Sequence, residues 1–237
     1  MNFGISRNAS RQLGNLGRSS LHMLSTKDQD DAKRGFSKIG GIPDLPEGIS
    51  WPVRPSLPVS NEDPPLGMLI SRLVYDKPSE REAEYKDTPQ PYNFIAQISF
   101  EEIASAGPND LQLPQTGALY LFYDDLLLYF GFDPKDTVGF KVIYATTIED
   151  AKEAEKPEFF EEVPTYNGDY VTPDLCFEHS KPEGVHFENL SIPEADKEAY
   201  IEFDEQVEDN RHIGWPPSPS PALKVGGWSN NIQNPME

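Results

Sequence analysis

The chain has 237 residues and a mass of 26.6 kDa, and 37% of its residues are hydrophobic, which suits one all-β domain or two smaller units. Its 40 acidic residues against 20 basic ones give a net charge of −20 and a pI near 4.5, a field that repels phosphate backbones and excludes sequence-independent nucleic-acid binding. No apolar run reaches the roughly 18 residues that a membrane span needs, and the single cysteine, Cys176, excludes an internal disulfide framework and fits a reducing, cytoplasmic compartment.

Residues 1–37 read as an N-terminal arm, with Arg7, Arg11 and Arg18 and no acid before Asp28. Its first 26 residues, rich in Arg and Ser and free of acids, have the look of an organellar transit peptide. An arm that packs Leu13, Leu16, Leu21 and Leu24 on one helical side explains it too, and is preferred. An apolar secretion core is absent from this stretch. The remaining chain, 38–237, reads as a single domain.

Ten of the 23 prolines fall between Pro43 and Pro91, and more follow in Pro216-Pro217-Ser218-Pro219-Ser220-Pro221. Proline lacks a backbone donor and biases its predecessor toward extended geometry, so these stretches cannot be long helices. Trp51, Leu57, Leu66, Met68, Ile70 and Leu73 interrupt the first one, which marks it as an extended wrapping segment.

Strand patterns follow in order. In Phe94 to Phe100 the apolar residues are 94, 96, 98 and 100, so Gln97 and Ser99 are expected on the opposite face. Ala118 to Tyr123 is a continuous β-prone run after the turn-like Pro114-Gln115-Thr116-Gly117. Leu126 to Phe132 and Val138 to Tyr144 add two more, with a turn at Asp133-Pro134-Lys135-Asp136. Tyr200-Ile201-Glu202-Phe203-Asp204 also alternates. Helices are expected to be short. Ser99 with Glu102, Thr146 with Glu149, and Ser191 with Glu194 each have capping-box spacing, in which hydroxyl and carboxylate satisfy orphan amides at a helix start. They predict helices near 100–106, 150–156 and 195–199. The fold class is mainly β (α+β), with short helices and long proline-rich extended segments.

Several pieces together resemble a known family. Ile39-Gly40-Gly41-Ile42-Pro43-Asp44-Leu45-Pro46 followed by Trp51-Pro52 is similar to the opening of the YwqG-like bacterial proteins of unknown function. The similarity continues through Phe94 to Ile98, Leu113 to Leu119, Phe122-Tyr123-Asp124, Gly131 to Pro134, Val142-Ile143-Tyr144 and Asn231-Ile232-Gln233-Asn234-Pro235. The resemblance implies a single-domain β-roll with two similar halves, and it supplies no catalytic residues. Family members continue past the final motif into a further strand pair, so either the second half is shortened or rebuilt here, or the matched ending is partly coincidental. Some members lie beside toxin genes and are suspected immunity proteins.

The chemistries that leave sequence signatures are mostly missing. Cys176 and His179 can be imagined as a dyad, but a lone cysteine is usually a small buried hydrophobe and neighbouring acids raise a thiol's pKa. His179 and His186 beside Glu178, Glu183 and Glu188 lack any zinc-ligand spacing. Asp204-Glu205 and Glu208-Asp209 lack the glycine-hinged loop of a calcium site. No glycine-rich phosphate loop occurs, and Gly40-Gly41 sits in a proline-rich turn. The sequence therefore predicts no enzyme, no metal and no cofactor.

Charge is the feature that points to a function. Residues 149–209 hold 20 acids against four lysines, a balance of −16, yet Phe159, Phe160, Tyr166, Tyr170, Phe177, Phe187, Tyr200 and Phe203 run through them. Disordered acidic tails are poor in aromatics, so a folded acidic face is expected. The leading reading is a non-catalytic, immunity-type module that binds a basic protein, a toxin domain for example, through Glu161, Glu162, Asp169, Asp204, Glu205, Glu208 and Asp209, with Trp215 and Trp228 as contact points. A plain solubility role explains the same charge. The alternative is a small-ligand-binding or enzymatic β-roll using Trp51, Gln97, Tyr123 and Gln233. A mimic of DNA ranks last, because the acids show no period in the sequence.

Overall fold

The computed structural model describes residues 4–25, 34–57, 87–108, 110–124, 137–158, 168–178, 185–212 and 223–227, with backbone alone at 177, 185 and 207–212. In chain order the first elements are α1 (Arg7–Gly14), β1 (Arg18–Ser25), β2 (Lys38–Ile39), β3 (Asp44–Leu45), β4 (Val53–Arg54), β5 (Gln90–Pro91) and β6 (Asn93–Ser99). After them come α2 (Phe100–Ser105), β7 (Ala118–Tyr123), a 3-10 turn at Thr137–Gly139, β8 (Phe140–Ala145) and β9 (Lys152–Glu153). The last are β10 (Asp169–Glu178), α3 (Val185–Glu188), α4 (Glu194–His212) and β11 (Leu223–Gly226). The protein is mainly β, as its composition of short apolar runs and turns demands. The chain forms two compact units, one of Met1–Ser25, Ser105–Leu113 and Thr172–Glu237, the other of Thr26–Ala104 and Pro114–Val171.

In the first unit β1 lies between β11 and β10. Leu21 and Met23 face one side, opposite Val225 and Leu223 of antiparallel β11, while Ser20 and His22 share the other side with Gly226 and Lys224. The arm is therefore not one helix carrying four leucines. α1 ends at Gly14 with Asn15 as its C-cap, and Leu21 sits in a strand, where a period of two governs burial. The helix itself is capped by Ser6, whose hydroxyl accepts from the Ala9 amide at 3.3 Å. Ala9 and Leu13 of α1 pack with Phe187, Ile192 and Tyr200.

In the second unit β2, β6, β7 and β8 are neighbours in that order, all antiparallel, with the start of β10 beside β2. The register between β6 and β7 shifts between Phe94 and Ala96. That bulge changes the expected facing, because an extra residue in one strand flips every side chain beyond it. Phe94 stands opposite Phe122, and Gln97 opposite Tyr120, so both point into the core face, whereas Ala96 and Ile98 lie opposite Leu121 and Leu119 on the other. The core comprises Leu45, Tyr92, Phe94, Ala118, Tyr120, Phe122, Ala145, Ile148 and Ala151, with Trp51 half-buried against it. Phe122 sits edge-on to both Phe94 and Trp51, at centroid distances of 5.5 and 5.8 Å. Gly117 turns into β7 with φ +86°, and a Cβ there would overlap the Ala145 carbonyl, which restricts the position to glycine.

Two more expectations are revised. Thr146 to Glu149 does not start a helix. The Glu149 amide donates to the Thr147 hydroxyl at 3.4 Å and Ala151 N to Ile148 O at 3.1 Å, and the chain then pairs as β9 with β3. A tight turn buries Ile148 and Ala151 in the core. Tyr200 to Asp204 is not a strand but the middle of α4, where residues 196, 200 and 204 share the inner side. The predicted strand at 126–132 and the turn at 133–136 lie outside the described residues. Among the described residues no helix is long and apolar enough to cross a membrane.

Candidate interaction surface

The α4 helix follows from its sequence. Pro193 precedes it and cannot continue a helix backwards, its carbonyl accepting from the amides of Asp196 and Lys197 at 3.0 and 3.2 Å. No glycine or proline occurs from 194 to 212, and Glu194 and Asp196 in the first turn complement the positive end of the helix dipole. The inner side is fixed by packing. Tyr200 stacks on Phe187 at 5.2 Å and lies 6.0 Å from Phe203. Asp196, 6% exposed, accepts from both the Ser6 amide at 2.8 Å and the Ser6 hydroxyl at 2.7 Å, which joins the first turn of α1 to α4.

The outer side is left to solvent. Glu194, Glu198, Glu202 and Glu205 are all exposed, and Ile201 stands among them at 39% exposure. The helical period of 3.6 residues lines up 194, 198, 202 and 205, so carboxylates without a period in the whole chain acquire one here. Glu202 accepts from the Gln206 amide at 3.3 Å. Among the described residues no lysine or arginine pairs with any of the four.

The remaining predicted contact residues separate. Asp204 is only 6% exposed and lies beside Tyr200, whose hydroxyl is pushed up by burial and by that carboxylate. It is therefore part of the interior and not of a contact face. Glu205 is exposed on the ridge, and Glu208 and Asp209 belong to α4 on the backbone alone. Asp169 is exposed too, but it begins β10 beside Ile39 in the second unit. The acidic segment as a whole is divided, with 149–171 in the second unit and 172–209 in the first. Glu161, Glu162, Trp215, Trp228 and Gln233 lie outside the described residues.

The residues proposed for a small ligand behave differently from that expectation. Gln97 is fully buried, its carbonyl accepting from Asp44 N at 2.8 Å and its amide donating to Phe36 O at 2.8 Å. Both ends are engaged within the chain, so Gln97 joins β6 to β3 and to the segment before β2 and offers nothing to a ligand. Trp51 is a core anchor, its indole donating to Tyr92 O at 2.8 Å. Tyr123 is half-buried at the end of β7, opposite Asn93 and Phe140.

Three ionic centres were not foreseen. Asp44, 2% exposed, holds Lys38 Nζ at 2.9 Å and the Gly35 amide at 3.0 Å. Arg54 donates through Nε to Asp124 at 2.7 Å with both side chains almost wholly buried, and through a terminal nitrogen to Pro55 O at 2.7 Å. In the first unit Glu178 takes Ser20 Oγ at 2.9 Å, His22 Nε2 at 3.0 Å and Lys224 Nζ at 3.1 Å, joining β10 to β1 and β11. Arg54 is flanked by Val53 and Pro55 and Lys38 by Ser37 and Ile39, so the only sequence signal was a basic residue placed where its neighbours are apolar or small. Cys176 is half-buried, and burial together with Asp174 and Glu178 raises its thiol pKa, which disfavours a thiolate. Its imagined partner His179 lies outside the described residues, and His186 is exposed. Among the described residues no group of three or more His, Cys, Asp or Glu side chains is placed to hold a metal ion.

A family model described as a domain of unknown function, DUF1963, matches residues 37–237. No curated protein matches the chain.

Proposed function

A chain that belongs to the DUF1963 family over residues 37–237 takes no activity from that membership, and we propose that it is a non-catalytic binding module that holds a basic protein on the outer side of α4. In this reading the partner is a toxin domain, neutralised in the cytoplasm, and the chain is taken as a YwqG-like protein on the strength of the ordered motifs that resemble that family. One observation carries the proposal. Glu194, Glu198, Glu202 and Glu205 form an exposed row around Ile201, none of them in an ion pair with a lysine or arginine among the described residues. Carboxylates kept in water retain their field, and a field of one sign steers an oppositely charged partner and raises its on-rate. An apolar side chain at the centre of such a row supplies contact area from which water is excluded.

The small-ligand or enzymatic reading has lost its leading residue, since the Gln97 amide is engaged at both ends. The experiment is stopped-flow association with the basic product of a neighbouring gene. The association rate should fall about tenfold or more between ~20 and ~300 mM NaCl. The variant E194Q/E198Q/E202Q/E205Q should associate slowly at both. A rate independent of salt, a quadruple variant that binds as well as the parent, or no binding by such a product overturns the proposal.

A further inference from the structure

We infer that the chain pairs with a second copy of itself through β8, edge to edge, in an antiparallel two-fold arrangement centred on Val142. Among the described residues β8 is the last strand of its sheet. Phe140, Val142 and Tyr144 project from one face of it at 44%, 50% and 45% exposure. Their neighbours across β7 on that face are Tyr123, Leu121 and Leu119, all half-buried. Three large apolar side chains in a row on an exposed edge strand form a template for another strand, which monomeric proteins usually blunt with charges or prolines.

Charge and symmetry identify the occupant. Residues 111–123 and 137–148 contain no acid in a chain with 40 of them, and the only charge on β8 is Lys141. A basic partner finds no complementary field here. A second copy finds a strand edge at which two strongly acidic molecules can touch without carboxylates on the facing strands. The row is also self-complementary. In a two-fold pair about Val142 each Phe140 meets Tyr144 of the second copy, Val142 meets its own equivalent, and Lys141 lies across from Ile143 instead of another lysine. Isologous contacts require such matching, and aromatic cross-strand pairs are favourable. Tyr144 is already fixed, edge-on to Phe100 at 5.7 Å with its hydroxyl donating to Thr116 O at 3.2 Å. Binding therefore costs it little further freedom.

The test is sedimentation velocity of the full chain. The parent should dimerise by about 100 μM, and the dimer should tighten as NaCl rises, because salt screens the repulsion of two molecules of charge −20. Val142→Lys places two ammonium groups face to face and should weaken the dimer ~100-fold or more, with the far-UV circular dichroism unchanged. A second arm covers misfolding of that variant. In a Cys176→Ser background, Val142→Cys should cross-link to a disulfide dimer under mild oxidation, whereas Lys141→Cys should not. A monomeric parent, a dimer indifferent to Val142→Lys, or equal or absent cross-linking at the two positions overturns the inference.

Discussion

In the second unit Asp44 and Asp124 are 2% and 1% exposed, and each lies against a cation of the same chain. In the first unit Glu194, Glu198, Glu202 and Glu205 stand outward on α4, and among the described residues no lysine or arginine forms an ion pair with them, Lys197 of the same helix donating instead to Glu188 O at 3.4 Å. The contrast separates two uses of a carboxylate. A charge withdrawn from water is tolerable only when a partner replaces its hydration. A charge left in water contributes little to the fold and stays available to another molecule. Counting acids cannot distinguish the two, which is why a balance of −16 over 149–209 located a segment but not a surface.

The largest expected effect breaks the buried side of the comparison. Arg54→Ala leaves Asp124 in an apolar interior without its cation and should destabilise the chain by about 3–5 kcal/mol in urea unfolding. The double change Arg54→Met with Asp124→Leu should recover most of that loss, since a hydrophobic pair needs no hydration. A loss below about 1 kcal/mol for Arg54→Ala would mean that water reaches the pair and that the two classes of carboxylate do not differ.

A smaller effect sharpens the reading of Gln97. Gln97→Leu leaves the Asp44 amide and the Phe36 carbonyl without their partner, which should cost about 1–3 kcal/mol, measured by chemical unfolding. A neutral substitution would return Gln97 to the group of side chains free to meet a ligand.

These two residues also show what the sequence could convey. The strands at 94–100, 118–123 and 138–144 were legible because apolar β-prone runs between turn residues have few other solutions. The Ser99 cap was legible as well, with the Glu102 amide donating to the Ser99 hydroxyl at 3.4 Å. The facing of Gln97 was not, because a single bulge near Ile95 inverts everything after it and leaves no compositional mark. Tyr200 to Asp204 misled in another way. Five residues alternate equally well as a strand or as part of a helix, and only the packing of Tyr200 on Phe187 with Asp196 on Ser6 decides. For the surface, the acidity was readable and the ridge was not, since alignment of 194, 198, 202 and 205 exists only once the helix does.

Glu102 is an intermediate case that acts through pH. Its carboxylate accepts from the Ser37 amide at 2.6 Å, yet burial outweighs that bond and raises its pKa above the ordinary value. A carboxyl whose folded pKa is raised favours the fold while protonated. Its contribution is complete below the unfolded pKa and is lost as pH rises through the folded one. The stability of the parent should therefore decline over that window, from the ordinary glutamate range upward. Glu102→Gln keeps an acceptor for Ser37 and carries no charge, so it should flatten the decline in unfolding measured from pH 4 to 7. An identical pH profile in the two proteins would show that Glu102 is solvated like the carboxylates of α4.

The smallest effect in free energy bears most directly on why the ridge exists. Glu194 with Glu198 and Glu198 with Glu202 are like charges four residues apart, a spacing that costs a helix a few tenths of a kcal/mol per pair. Glu202 with Glu205 repeats this at three. Replacing all four by glutamine removes this repulsion but also the favourable charge of Glu194 at the helix start, so stability should stay within about 1 kcal/mol of the parent. Added NaCl should stabilise the parent slightly more than the variant, since salt screens the repulsion. A thermal melt of both proteins at low and high salt measures it. If the variant is instead clearly less stable, the four glutamates serve the fold, and the case for a basic partner on α4 goes with them. If it is as stable or more so, the row exists at a small standing cost to the helix, and the compensation lies in what approaches it.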